Sequence, residues 1–181
     1  MMNHKKMIHI LRAVATITNE KNFVLVGSAA VLLTSRNIPL QMLNTNEIDV
    51  YSPDSASEDD FSFLVESIGK GSQFDKTFHY YADGVSSKTA KMPADWEMRA
   101  KVVENLGIPD VTVLVPDIND IAIAKMIAWR EKDRDWLEAG VGSKILDPRK
   151  MRERIALLPP SETPATEILR RMDAVTAYAS S

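Results

Sequence analysis

The chain has 181 residues, 45% of them hydrophobic, with no cysteine and a formal net charge of −3. That is enough apolar material for one globular domain with a sizeable core, and the missing cysteines exclude disulfides and thiolate metal sites. Slight acidity excludes a surface that is basic all over and coats nucleic acid, and no run of about eighteen apolar residues offers a membrane span, so a cytoplasmic protein with no membrane partner is expected.

Met7, Ile10, Leu11, Val14 and Ile17 recur at helical spacing, which predicts an amphipathic helix over residues 4–19. The run Phe23-Val24-Leu25-Val26 reads as a strand. Gly27 ends it, and Ser28 is placed to cap a helix to about Arg36, before Pro39 stops any continuation. Residues 40–46 then lead into a second strand over 47–51. This pair, joined by a helix, is the only one expected to run parallel. Ser52-Pro53-Asp54 is a turn, and Phe61, Leu64, Val65 and Ile68 mark a helix that ends at Gly69 or Gly71.

Residues 73–83 are rich in aromatic and β-branched side chains without helical period, so they predict a strand ending near Gly84. Alternation would put Asp75, Thr77, His79, Tyr81 and Asp83 on one face. Segments 96–103 and 111–115 predict a hairpin closed by residues 105–110. Asp117 opens a long helix through about Glu138, with Ile118, Ile121, Ala122, Met126 and Trp129 on its apolar side. Asp147-Pro148 and Thr163-Pro164 are each an N-cap followed by proline, and open two further helices. The expected fold class is α/β (α+β): a mixed β-sheet of about five strands flanked by helices over residues 1–116, with C-terminal helices over 117–181 packed on it as one unit.

Two features carry chemistry. Glu47 and Asp49 lie one residue apart in a strand and so share a face. Two adjacent carboxylates repel unless a cation lies between them, and a divalent ion with hard oxygen ligands is the natural candidate. Gly27 and Ser28 form the second feature, because a glycine at a strand-to-helix junction lets backbone N–H groups approach a phosphate. Around the proposed metal, residues 44–66 hold seven acids and no Lys or Arg, whereas residues 121–155 hold nine basic and six acidic residues. Within the long helix, Lys125 sits amid Ile121, Ala124 and Ala128, an apolar setting unusual for a lysine. Lys132, seven residues on, would share its helix face.

In this order, a Gly27-Ser28 turn followed by a Glu47-Ile48-Asp49 strand resembles the opening of the polymerase-β-type nucleotidyltransferase superfamily. There a Gly-Gly or Gly-Ser turn precedes an acid-x-acid strand, and Glu47 stands where Asp is commoner. The stretch from His79 through Asp83 to Val85 is similar to the third strand of one bacterial branch. Residues 93–99 and 120–135, the latter holding Lys125, Arg130 and Lys132-Asp133, look like later motifs of bacterial nucleotidyltransferase-like toxins of abortive-infection and toxin–antitoxin systems. The resemblance covers most of residues 23–157.

What it implies is a Mg²⁺-dependent (or Mn²⁺-dependent) transfer of an NMP from an NTP to a hydroxyl acceptor. Glu47, Asp49 and Asp83 would hold metal and act in catalysis, with Asp75 the alternative third carboxylate. Gly27 and Ser28 would hold phosphate, Lys125 would reach the triphosphate, and Asp133 would orient substrate or support the site. The 3′ end of a tRNA or a protein side chain would be the acceptor, and a cognate antitoxin the partner. Two rivals stay open: a nucleotide- or partner-binding module of the same fold that has lost turnover, and a small-molecule transferase that modifies an antibiotic.

Overall fold

The computed structural model describes residues 1–160 and 163–179. Helix α1 (His4–Thr18) begins where the Asn3 side chain accepts from the Lys6 N–H and buries Met7, Ile10, Leu11 and Val14. Strand β1 (Asn22–Val26) follows, buried from Phe23 onward. After Gly27 the chain makes a 3-10 turn (Ser28–Ala30) and the single turn of α2 (Val31–Thr34), shorter than the helix expected to reach Arg36. A further 3-10 turn (Leu40–Leu43) leads into β2 (Glu47–Tyr51).

β2 runs antiparallel to β1, with Val26 opposite Asp49, which corrects the expected parallel pairing. A parallel partner needs a crossover that carries the chain back to the strand's starting end. Residues 27–46 form only short helical turns rather than one helix spanning the sheet, and the chain re-enters the sheet at the end it left.

Helix α3 (Glu58–Glu66) opens on Ser57, whose side chain accepts from the Asp60 N–H, and its acidic first turn suits the helix dipole. The predicted strand over 73–83 is a helix for half its length: α4 (Gln73–Phe78), then β3 (Tyr81–Gly84). Ser72 accepts from the Asp75 N–H at 3.2 Å, and the Asp75 carboxylate accepts from the Gly71 N–H at 2.8 Å, so both residues serve the start of the helix. The aromatic residues that suggested a strand, Phe74, Phe78 and Tyr80, instead surround His9 of α1. Asp75 therefore shares no strand face with Asp83. β3 pairs parallel with β2, placing Tyr81 opposite Glu47 and Asp83 opposite Asp49.

A short α5 (Trp96–Arg99) replaces the first half of the expected hairpin strand, leaving β4 (Lys101–Val103) antiparallel to β5 (Thr112–Val115). β5 runs parallel to β1, and the mixed five-stranded sheet has the order β3-β2-β1-β5-β4. That is the fold class expected from the sequence.

The long helix expected from Asp117 is two, α6 (Ile118–Ala128) and α7 (Glu131–Gly142), broken at Trp129 with φ 52°. No glycine or proline marks the break. It is held from elsewhere: Arg171 on α9 (Ala165–Tyr178) donates to the carbonyls of Met126 and Ile127 at the end of α6 and stacks over the Trp129 ring. Between them, α8 (Pro148–Ile155) starts as predicted, with Asp147 accepting from the Arg149 and Lys150 N–H groups. α9 begins one residue later than expected, with Pro164 just before its first turn. Asp120, fully buried near the start of α6, ties it to α5 and α8 by accepting from Arg99 and Arg154. One core cluster runs from α1 and the sheet to Trp136, Met151 and Met172 of the C-terminal helices.

Arg171→Met should remove the charged donor to α6 and lower unfolding free energy by about 1–3 kcal/mol in urea titration. An unchanged urea midpoint would mean that water replaces the guanidinium.

Candidate active site

Sheet alternation turns Glu47 and Asp49 of β2 and Tyr81 and Asp83 of β3 toward one face, as two facing pairs. They line a cleft of about 700 Å³ together with Gly27, Lys70, Lys125 and Lys132. Such a volume suits a nucleotide-sized ligand.

Gly27 has φ 70°, and a Cβ on it would overlap the Asp49 carboxylate. Only glycine tolerates both the backbone angle and the approach. The turn thus brings the first residues after β1 against the acid of β2.

Lys125 enters the cleft from α6. Its ammonium donates to Ser28 Oγ at 2.8 Å and to Asp133 Oδ1 at 2.8 Å, and lies over the Trp136 ring. The other Asp133 oxygen accepts from the Arg130 N–H, fixing the start of α7. Burial lowers the Lys125 pKa, opposed by the charges of Asp133 and Asp49. Lys132 does not share a face with Lys125, because the Trp129 break lies between them. It reaches across to Glu47 Oε1 at 3.0 Å, while the Tyr81 hydroxyl donates to Glu47 Oε2 at 2.6 Å.

The three acids are therefore in different electrostatic states. Burial pushes the Asp49 carboxyl up to about 7, helped by the negative charges of Glu47 and Asp83. Asp83 is also raised, by burial and then by Glu47. Burial would raise Glu47 too, but the Tyr81 hydroxyl and the Lys132 ammonium outweigh it and hold its pKa below the usual range.

A divalent cation fits Asp49 and Asp83: hard carboxylates in direct register, neither ion-paired to a described residue and only partly offset through space by Lys125 and Lys132. Glu47 fits only if its two partners let go. Among the described residues, no three His, Asp or Glu side chains converge as a metal-binding group. Of the predicted site residues, the fold brings together Gly27, Ser28, Glu47, Asp49, Asp83, Lys125 and Asp133, and leaves Asp75 at the start of α4. Sequence reasoning gave Tyr81 no role and missed Lys70. Tyr81 precedes Asp83 by two residues as Glu47 precedes Asp49, a spacing that could have flagged the pair.

The chain matches the family described as "Nucleotidyltransferase of unknown function (DUF6036)" over residues 4–178. It belongs to that family of nucleotidyltransferases. No curated protein and no solved structure matches it. No helix among the described residues is long and apolar enough to cross a membrane.

Two outcomes follow from the electrostatics. Asp49 has a folded pKa above its unfolded value, so from about pH 4 to 7 the native state keeps a proton that the unfolded chain has released, and stability falls as pH rises. Without metal, Asp49→Asn should be the more stable protein at pH 8, by up to about 4 kcal/mol, with the gain vanishing near pH 4. Urea unfolding at both pH values measures it, and a gain independent of pH would contradict the raised carboxyl.

Lys125→Met should not pack as an innocuous replacement, although the apolar setting in sequence suggests that it would. It leaves Asp133 buried without its cation, which destabilises by about 3–5 kcal/mol in thermal or urea unfolding. Unchanged stability would mean that Asp133 finds another donor.

Proposed function

We propose that this chain is a divalent-cation-dependent nucleotidyltransferase that moves an NMP from an NTP to a hydroxyl acceptor. One observation carries the reading: Asp49 and Asp83 stand side by side facing a glycine turn, with a buried lysine on the turn's serine. Carboxylates for a cation and a cationic, N–H-rich cradle for phosphate are the two halves that phosphoryl chemistry needs.

In this reading Asp49 and Asp83 hold Mg²⁺ or Mn²⁺, and Glu47 joins them when freed from Lys132. The bound cation supplies neutralisation of charge on the triphosphate. Ser28 and the backbone after Gly27 position phosphate oxygens, and Lys125 offsets their charge. Asp133 fixes the Lys125 ammonium. Asp83, at the more open side of the pair, accepts the proton of the attacking hydroxyl. The acceptor oxygen then bonds to the α-phosphorus as the bond to pyrophosphate breaks.

The acceptor we propose is the 3′ end of a tRNA or a protein hydroxyl, and the biological role that of a toxin held in check by an antitoxin. That finer reading is supported by the likeness of residues 93–99 and 120–135 to nucleotidyltransferase-like toxins. A second reading, a binding module without turnover, draws support from Glu47, both of whose oxygens are engaged by Tyr81 and Lys132.

Incubation with α-labelled NTPs, Mg²⁺, total tRNA and cell protein separates the two. Transfer of label with release of pyrophosphate, abolished in Asp83→Ala and retained in Asp75→Ala, is the expected result. NTP binding with no label transferred to either acceptor pool and no pyrophosphate released would favour the binding module. Retained transfer in Asp83→Ala would remove Asp83 from the chemistry.

A further inference from the structure

Of the three carboxylates that β2 and β3 present to the cleft, Glu47 is the one already ion-paired within the described residues. Its Oε1 accepts from the Lys132 ammonium and its Oε2 from the Tyr81 hydroxyl, so both carboxylate oxygens have partners from other elements. Asp49 and Asp83 make no ion pair with a described residue: Lys125 and Lys132 act on Asp49, and Lys132 on Asp83, only through space, while the Lys125 ammonium donates to Ser28 and Asp133. The position of Lys132 is not accidental to a flexible tail. It is the second residue of α7, whose start is fixed by Asp133 accepting from the Arg130 N–H and whose direction is set by the αL turn at Trp129. A continuous helix would have sent Lys132 along α6 rather than across the cleft. Tyr81 is equally fixed, directly opposite Glu47 in the β2–β3 register.

We infer that Lys132 is a built-in counter-cation that takes the place of a second divalent ion at Glu47, so that the cleft without nucleotide binds one divalent cation, through Asp49 and Asp83. This rests on the reading of the cleft as a cation-dependent transferase site. An ammonium is a single charge with three donors and needs no dehydration of a metal ion, whereas a divalent ion at Glu47 must displace both the lysine and the phenol. The Lys132 side chain is 52% exposed, so its removal leaves no buried cavity, and the Tyr81 bond to Glu47 remains. The ion pair thus sets the number of cations rather than the stability of the fold.

The test is Mn²⁺ titration of the full-length protein by calorimetry and by the electron paramagnetic resonance of free Mn²⁺, without nucleotide. The parent should bind one Mn²⁺, with affinity weakened more than roughly tenfold by Asp49→Asn and little changed by Glu47→Gln. Lys132→Met should bind two, and Glu47→Gln added to Lys132→Met should return the number to one. Lys70→Met, which removes a cleft charge that acts on Glu47 through space without the ion pair that Lys132 makes, should still bind one. If Lys132→Met misfolds by circular dichroism, Lys132→Gln replaces it, with the same expected count. One Mn²⁺ in the Lys132 variants, two in the parent, or a second ion in Lys70→Met as well would overturn the proposal while leaving the metal site standing. Mn²⁺ bound by none of these proteins would overturn both the proposal and the reading it rests on.

Discussion

A single buried ammonium holds the cleft together. Lys125 joins Ser28, just after β1, to Asp133, at the start of α7, two positions more than a hundred residues apart. A lysine this deeply buried is tolerable only with partners that repay its desolvation, and here it has a hydroxyl, a carboxylate and the face of Trp136. Because Asp133 also ties down the Arg130 N–H, the same charge pair decides where α7 starts and therefore where Lys132 can reach. The C-terminal helices are thereby part of the site and not a separate appendage.

The opposite wall is built on repulsion. Asp49 and Asp83 are set beside each other by the parallel pairing of β2 and β3, and Gly27 closes over Asp49 with no room for a side chain. Burial pushes the Asp49 carboxyl up to about 7, and the negative charges of Glu47 and Asp83 add to the shift. Proteins keep strain of this kind where a ligand relieves it. Glu47, one step along the same strand face, is the counterexample: with Tyr81 and Lys132 on it, its charge is settled within the chain itself. The departure of Glu47 from the commoner aspartate thus coincides with a different electrostatic role, since the longer side chain is the one that meets both partners.

Local signals were legible where local physics is decisive. Alternation alone put Glu47 and Asp49 on one face, the glycine-serine turn marked the end of β1, and Asp147 before Pro148 marked the start of α8. An apolar setting around Lys125 announced a lysine with a purpose, and His79 to Val85 pointed to Asp83 before its partner was visible. The failures share one cause, which is that contacts distant in sequence overrode the local pattern. Phe74, Phe78 and Tyr80 suggested a strand, but they pack around His9, and the Ser72 and Asp75 cap makes the segment helical. The α6–α7 break has no glycine or proline, since it is held by Arg171 from the far end of the chain.

The sequence by itself determined the fold class and a nucleotidyltransferase-like family, and strand period, turn chemistry and caps were legible in it because they act over a few neighbours. Tertiary structure alone decided the polarity of β2 against β1, the exclusion of Asp75, and the pairing of Asp83 with Asp49. It also decided that Lys132 lies on Glu47 instead of beside Lys125. Strand register and helix breaks are settled by packing between elements whose residues are far apart along the chain, and no window of sequence contains both partners.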